Sequence, residues 1–195
     1  MYIHASKNFS ELKLEIKRKI FHIIALLLWI IPISFLSFFE NIIIFLLVIG
    51  INTAIVLKMK PFYSVFNFLI KHFERDKNLK YPGIQSLYAN IGIFLTYLIF
   101  KELALVGIVV LAVGDGLSTL AGKVFGKNKL FYNKDKTWEG CIAFFIGAFL
   151  ILSFFKDLKS SILIAGISSL LETLNVRIDD NFILPLSATL IAYLM

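Results

Sequence analysis

Apolar residues fall in seven runs, at 20–39, 42–57, 84–100, 103–121, 138–155, 160–174 and 182–195. A helix needs about 20 apolar residues to cross a bilayer, so runs of this length predict membrane helices. Several are shorter than that, and the last is the shortest. Pro32 predicts a kink in the first run. Tight turns are expected at Glu40–Asn41 and at Lys101–Glu102, and a short one over 156–159. Three longer polar stretches, 58–83, 122–137 and 175–181, separate the other runs. Within 58–83, Phe62, Val65, Phe66, Phe68, Leu69 and Phe73 recur at helical spacing, which predicts an amphipathic helix at the membrane interface. Residues 1–19 interleave Glu11, Lys13, Glu15 and Lys17 with Leu12, Leu14 and Ile16, an interfacial lead-in to the first helix. The expectation is an all-α polytopic membrane bundle of about seven transmembrane helices, forming a single domain over residues 1–195.

Composition supports that reading. Of 195 residues 58% are hydrophobic, more than the interior of a soluble domain of this length can hold. The net charge of +7 is placed asymmetrically. With the N-terminus inside, only Lys101, Lys156 and Lys159 of the 20 Lys and Arg residues fall outside. That is a strong positive-inside bias: it places the N-terminus in the cytoplasm and accounts for the charge without nucleic acid. Every polar stretch of any length then lies on the cytoplasmic face, as an enzyme using a cytosolic substrate requires; a carrier would place polar groups near mid-bilayer and show repeats. No internal repeat and no cleavable signal peptide is evident. Cys141, the one cysteine, lies in an apolar run and reads as a packing residue. The abundance of Ile and Lys suits the cell membrane of a prokaryote.

The chemistry concentrates at 113–140, where Asp115 precedes Gly122, Lys123, Gly126, Lys127, Lys136 and Glu139. A carboxylate in hydrocarbon costs roughly 2.5–3.5 kcal/mol, so Asp115 needs a partner and a purpose. The lysines alone could form a lipid-headgroup patch. Glu139 could equally be a first-turn acid beside an N-cap at Thr137. Three further clusters share the same face. Arg18, Lys19 and His22 open the first run; the bland readings are a positive-inside anchor and a structural histidine. Glu74, Arg75 and Asp76 precede a re-entry through Tyr88 and Asn90 that suits a cavity wall, or they form a solvated charge run. Glu172, Arg177, Asp179, Asp180 and Asn181 offer oxygen ligands suited to Mg²⁺, with Asp180 or Asn181 capping the last helix as the alternative. No Walker A loop, dinucleotide fingerprint or zinc spacing is present. Cations and carboxylates on one membrane face suit phosphoryl transfer, in which metal and cations neutralise phosphate charge and a base receives the acceptor's proton. An acceptor entering from the bilayer would be a lipid alcohol or a lipid phosphate.

Arg18-Lys19-(x2)-His22, Gly114-Asp115-(x6)-Gly122-(x3)-Gly126-Lys127, Lys136-Thr137-(x1)-Glu139-Gly140 and Glu172-(x5)-Ile178-Asp179-Asp180-Asn181-(x3)-Pro185 together resemble the CTP-dependent polyprenol kinases. That family includes the dolichol, phytol and CTP-dependent diacylglycerol kinases, within a wider group containing the phosphatidate cytidylyltransferases. The resemblance implies a Mg²⁺-dependent transfer of the γ-phosphate of CTP, or another nucleoside triphosphate, to a membrane isoprenoid alcohol such as dolichol, phytol or geranylgeraniol. Asp115, His22, Glu139 and Asp180 are then the candidate catalytic residues. Arg18, Lys19, Arg75, Gly122, Lys123, Gly126, Lys127, Lys136 and Arg177 are the nucleotide- and phosphate-binding candidates. Asp115, Glu139, Glu172, Asp179, Asp180 and Asn181 are the metal candidates. The cytidylyltransferase signature is absent apart from the fragment Lys134-Asp135, which favours a kinase over a CDP-lipid synthase. A transporter or a non-catalytic membrane subunit is the third reading, and a homodimer remains open.

Overall fold

The computed structural model describes residues 2–74 and 78–195, with side chains from residue 12 onward. Ten α-helices account for most of it: α1 Tyr2–Leu27, α2 Ile30–Phe35, α3 Phe38–Val56, α4 Lys60–Phe73, α5 Ile84–Phe100, α6 Ala104–Val109, α7 Gly116–Val124, α8 Trp138–Leu152, α9 Leu158–Thr173 and α10 Asp180–Tyr193. Among the described residues there is no strand, only one isolated bridge between Lys129 and Thr137. Stretches 12–35, 38–56 and 84–124 are long and apolar enough to cross a membrane, and α8 is a shorter apolar helix. The protein is an all-α membrane bundle. Its outward faces are apolar: Ile43, Leu46 and Leu47 of α3 are exposed, as a lipid-facing surface requires.

The first expected span is two helices. Pro32 has no N–H for the Leu28 carbonyl one turn earlier, so α1 stops at Leu27 and Ile31 N donates to Leu28 O instead. The kink therefore lies upstream of the proline. The expected turn at Glu40–Asn41 lies at Leu36–Ser37. Ser37 caps α3 in a capping box with Glu40, and buried Asn41 donates to the carbonyls of Pro32, Leu36 and Ser37. The interfacial segment forms as expected: α4 buries Ile70 and leaves Val65 and Phe68 exposed.

The stretch 84–124 would be about 60 Å long as one helix, twice the hydrocarbon thickness. It breaks at Lys101, whose φ of +50° reverses the chain, followed by a 3₁₀ turn at Lys101–Leu103. The returning arm runs through α6 and a π-helical segment, Val110–Asp115, into α7. Gln85 and Asp115 thus end near the same part of α1. The core lies where α1, α3, α5, α6, α8, α9 and α10 meet. Trp29 stacks on Phe45 with ring centroids 3.9 Å apart, and Phe45 and Phe38 pack on Tyr97.

Helix α10 sets where the last acidic cluster falls. It packs against α6 at Gly107, whose N–H donates to Thr189 Oγ1 at 3.1 Å. A Cβ on Gly107 would collide with the Pro185 carbonyl and lie 2.6 Å from Thr189 Oγ1. Asp179, not Asp180 or Asn181, is the N-cap of α10 and accepts from Asn181 N at 2.9 Å.

Candidate active site

Helix α1 presents Arg18, Lys19 and His22 on adjoining positions one turn apart. Arg18 reaches Glu15 at 3.0 Å and donates to Gln85 Oε1 at 2.8 Å, tying α1 to the start of α5. Lys19 Nζ lies 2.5 Å from Asp115 Oδ2, and both side chains are over 90% buried. His22 Nε2 lies 3.4 Å from the same oxygen. The partner that Asp115 needs in hydrocarbon is therefore a buried lysine supplied by α1. Asp115 ends the π-helical segment, a rare winding that often occurs at functional sites. The next residue is Gly116, where a Cβ would lie 2.6 Å from Ile23 Cδ1. Its absence lets α1 approach closely enough for Lys19 to reach the carboxylate.

A second ion cluster forms across the 125–137 loop. Lys136 Nζ contacts Glu172 Oε1 and lies 3.0 Å from Asp180 Oδ2. Burial opposes charge on Lys136, but the two carboxylates outweigh it and hold the ammonium above the usual lysine range. Ser118 Oγ donates to Glu172 Oε1 at 3.1 Å. The loop is pinned to the end of α9: Asn133 Nδ2 donates to Thr173 O at 2.9 Å and Tyr132 OH lies 2.7 Å from Thr173 Oγ1. Leu130 is fully buried beneath it. Thr137 caps α8 by accepting from Gly140 N at 3.1 Å, as its sequence position predicts.

Both clusters border one polar cavity of about 810 Å³. It brings together Arg18, Lys19, Asp115, Gly122, Lys123, Gly126, Lys136, Glu172, Asp179, Asp180 and Asn181 from the sequence candidates. His22 lines instead an adjoining apolar cavity, which shares Arg18 and Gln85 with the polar one. Three of the described candidates stand elsewhere. Glu139 is in the first turn of α8, where its carboxylate accepts from the backbone N–H groups of Lys127 and Asn128 at 3.2 and 3.1 Å. Lys127 and the exposed Arg177 do not line the cavity. Arg75 lies outside the described residues. The cavity also contains Gln85, Ser118, Thr119, Lys129 and Asp135, to which the sequence reading assigns no site role. A usable signal existed for Ser118: with Asp115 and Gly122 it occupies i, i+3 and i+7, one face of a helix.

Among the described residues no group of three or more His, Cys, Asp and Glu is arranged to enclose a metal ion. Of the acids around the cavity, Asp115, Glu172 and Asp180 are ion-paired. Glu172 Oε2 and Asn181 Oδ1 are buried oxygens with no hydrogen-bond partner. Both residues line the cavity, and oxygen acceptors without donors fit a hard cation that brings its own waters and phosphates.

No family model and no solved structure matches the chain. Sequence comparison finds relatives. An uncharacterized protein of Methanocaldococcus jannaschii is 36% identical over 177 residues, 88% of each chain. A probable chloroplastic phytol kinase of Triticum aestivum is 32% identical over 142 residues, covering 63% of this chain and 46% of that one. The dolichol kinase of Schizosaccharomyces pombe is 30% identical over 201 residues, covering 89% of this chain and 38% of that one. The chain thus spans less than half the length of these two named kinases. The match to the dolichol kinase takes in nearly all of this chain. On these grounds the chain belongs to the family of polyprenol kinases that includes the phytol and dolichol kinases.

Proposed function

We propose that this protein is a membrane kinase that transfers the γ-phosphate of CTP to an isoprenoid alcohol, with Mg²⁺, at the cytoplasmic face. The observation that carries this reading is the polar cavity, which is lined by a buried Lys19–Asp115 pair and a partly buried Lys136–Glu172–Asp180 cluster. The named relatives are alcohol kinases. CTP as the donor rests on the motif resemblance, and the cytoplasmic face on the distribution of lysine and arginine.

The roles follow from the geometry. Lys123 and Lys129, exposed at the cavity rim, meet the triphosphate as it arrives. Mg²⁺ would be held by Asp180, Asn181 and Glu172, and would supply neutralisation of the phosphate charge. Lys136 holds Glu172 and Asp180 in place and adds a fixed positive charge at the donor's phosphates. Lys19 and His22 both meet Asp115 through Oδ2, which leaves Oδ1 for the acceptor. The acceptor oxygen attacks the γ-phosphorus, the bond to the β–γ bridging oxygen breaks, CDP leaves, and the hydroxyl proton passes to Asp115. Little covalent work is asked of the protein, because phosphoryl transfer is governed by positioning and charge stabilisation. Glu139 organises the 126–128 turn through the Lys127 and Asn128 amides and acts as a positioning residue.

The test is a reaction of detergent-purified protein with CTP, Mg²⁺ and a mixture of isoprenoid alcohols, diacylglycerol and lipid phosphates, with products weighed by mass spectrometry. The expected result is an alcohol gaining one phosphate, with CDP released. A CDP-lipid with pyrophosphate would instead identify a cytidylyltransferase. Folded protein that forms no product with any nucleotide would overturn the enzyme reading.

A further inference from the structure

The apolar cavity beside the polar one has a volume of about 550 Å³, within the range of small-molecule sites. It lies between α1, α3, α4 and the start of α5. Its few polar side chains are already satisfied: Trp29 Nε1 donates to Asn90 Oδ1 at 2.9 Å, Asn90 Nδ2 to Ser86 O at 3.0 Å, and Asn52 Nδ2 to Val48 O at 3.0 Å. The walls therefore present carbon. At the end nearest Asp115 this changes. Arg18 Nε is buried there without a hydrogen-bond partner, and His22 Nε2 is buried with only the Asp115 carboxylate 3.4 Å away and no aligned hydrogen bond; Arg18 lines both cavities. An apolar slot ending in unsatisfied polar atoms, joined to a phosphate-sized polar chamber, fits a molecule with a hydrocarbon tail and one hydroxyl.

We propose that the isoprenoid tail of the acceptor lies in this cavity, with its hydroxyl at the His22–Asp115 junction and its tail running along α1 towards Trp29 and Pro32. This rests on the kinase reading, and adds where the acceptor sits and how much of it the protein reads. From His22 to Pro32 the helical rise is about 15 Å. An extended carbon chain advances about 1.25 Å per bond, from a bond length near 1.5 Å. The slot therefore holds about 12 bonds, or three isoprene units at four backbone bonds each. Phe21 and Leu28 line the cavity while 41% and 57% exposed, so it opens along α1 to the bilayer. Longer alcohols leave their remaining units in lipid. Selectivity then depends on the first three units and is blind to total length beyond them.

Ala25, one turn past His22, lines the slot, and Val48, one turn past Phe45 on α3, lines it on the side where Trp29 stacks on Phe45. The experiment has two arms. In the first, kcat/KM is measured for prenol, geraniol, farnesol, geranylgeraniol and a long polyprenol. Wild type should improve up to farnesol and change little after it. Ala25→Phe should lower the geranylgeraniol-to-prenol ratio of kcat/KM about a hundredfold, by a clash only the longer chain meets. Val48→Phe should lower the farnesol-to-geraniol ratio with less effect on geraniol itself. Ratios unchanged in both variants would overturn the assignment. The second arm needs no catalysis. Farnesol carrying a diazirine at its far end, the third unit, is photolysed on wild-type protein, and the labelled residues are mapped. Label should concentrate in 25–32 and 44–52 on cavity-lining positions and be displaced by excess geranylgeraniol. Label spread over lipid-facing Ile43, Leu46 and Leu47 and not displaced would overturn the assignment, even if the protein were no kinase. Displaceable label in the cavity with no phosphorylated product would keep the tail site and sink the kinase reading.

Discussion

Replacing Lys19 by Met removes the cation that makes a buried carboxylate tolerable. The Lys19 and Asp115 side chains are 6% and 9% exposed, with Nζ and Oδ2 2.5 Å apart. Solvent screening of the pair is therefore slight. At an effective dielectric of 20 the gross attraction at that distance is roughly 6–7 kcal/mol. Desolvation costs several kcal/mol per ion and offsets much of it. Removing one partner forfeits the attraction while Asp115 stays buried with only His22 beside it. The expected loss is about 3–5 kcal/mol for Lys19→Met. It would lower the unfolding midpoint by very roughly 10 °C in a chain of this size. Asp115→Asn in the Lys19→Met background removes the stranded charge and should recover about 2 kcal/mol, a coupling within the range for directly contacting residues. The assay is unfolding of the four proteins of the cycle in mixed detergent micelles, followed by tryptophan fluorescence and circular dichroism. Additive effects, or a Lys19→Met protein within about 1 kcal/mol of wild type, would refute the claim that this ion pair is what houses Asp115 in the bundle.

Asp115→Asn and Asp180→Asn should each lower turnover at least about a hundredfold, the scale for losing a preorganised electrostatic group, in a steady-state assay of CDP release. Near-normal turnover in both would remove the carboxylates from the reaction. Lys136→Met should raise the apparent Michaelis constant for CTP at least about tenfold, since Glu172 and Asp180 lose their shared cation; an unchanged constant would take Lys136 out of the donor site. Gly107→Ala should destabilise the protein by about 1–3 kcal/mol through overpacking against Pro185 and Thr189, read as a lower midpoint in the same micelle titration. Wild-type stability would mean that α10 does not rest on α6 as described.

Much of this architecture is legible along the chain because bilayer spans leave an unambiguous record. Runs of apolar residues, short charged turns and the clustering of Lys and Arg locate the helices and gather the polar stretches. Local rules also predict single contacts: Thr137 caps α8, and the amphipathic spacing from Phe62 to Phe73 forms α4. What stays hidden is whatever depends on two distant segments meeting. Asp115 announces itself as costly, yet nothing local says that Lys19, 96 positions earlier, is the residue that meets it. Glu139 sits in the same motif as Lys136, but its carboxylate accepts from the Lys127 and Asn128 amides and does not line the cavity. His22 reads as part of a basic cluster and Asn90 as a cavity-wall residue, which it is, but nothing local joins the two. Only the packing of α1 against α3, α4 and α5 places them around one slot. The π-helical winding before Asp115 has no sequence signature of its own.

The most direct test of the central claim follows the phosphorus. Purified protein in lipid nanodiscs is given geranylgeraniol, Mg²⁺ and CTP labelled with ³²P at the γ or at the α position, and label in the lipid extract is counted for wild type and Asp180→Asn. The account predicts lipid label from γ-labelled CTP alone, and its near-complete loss in the variant. Lipid label from α-labelled CTP, or γ-label transferred equally well by Asp180→Asn, would contradict it.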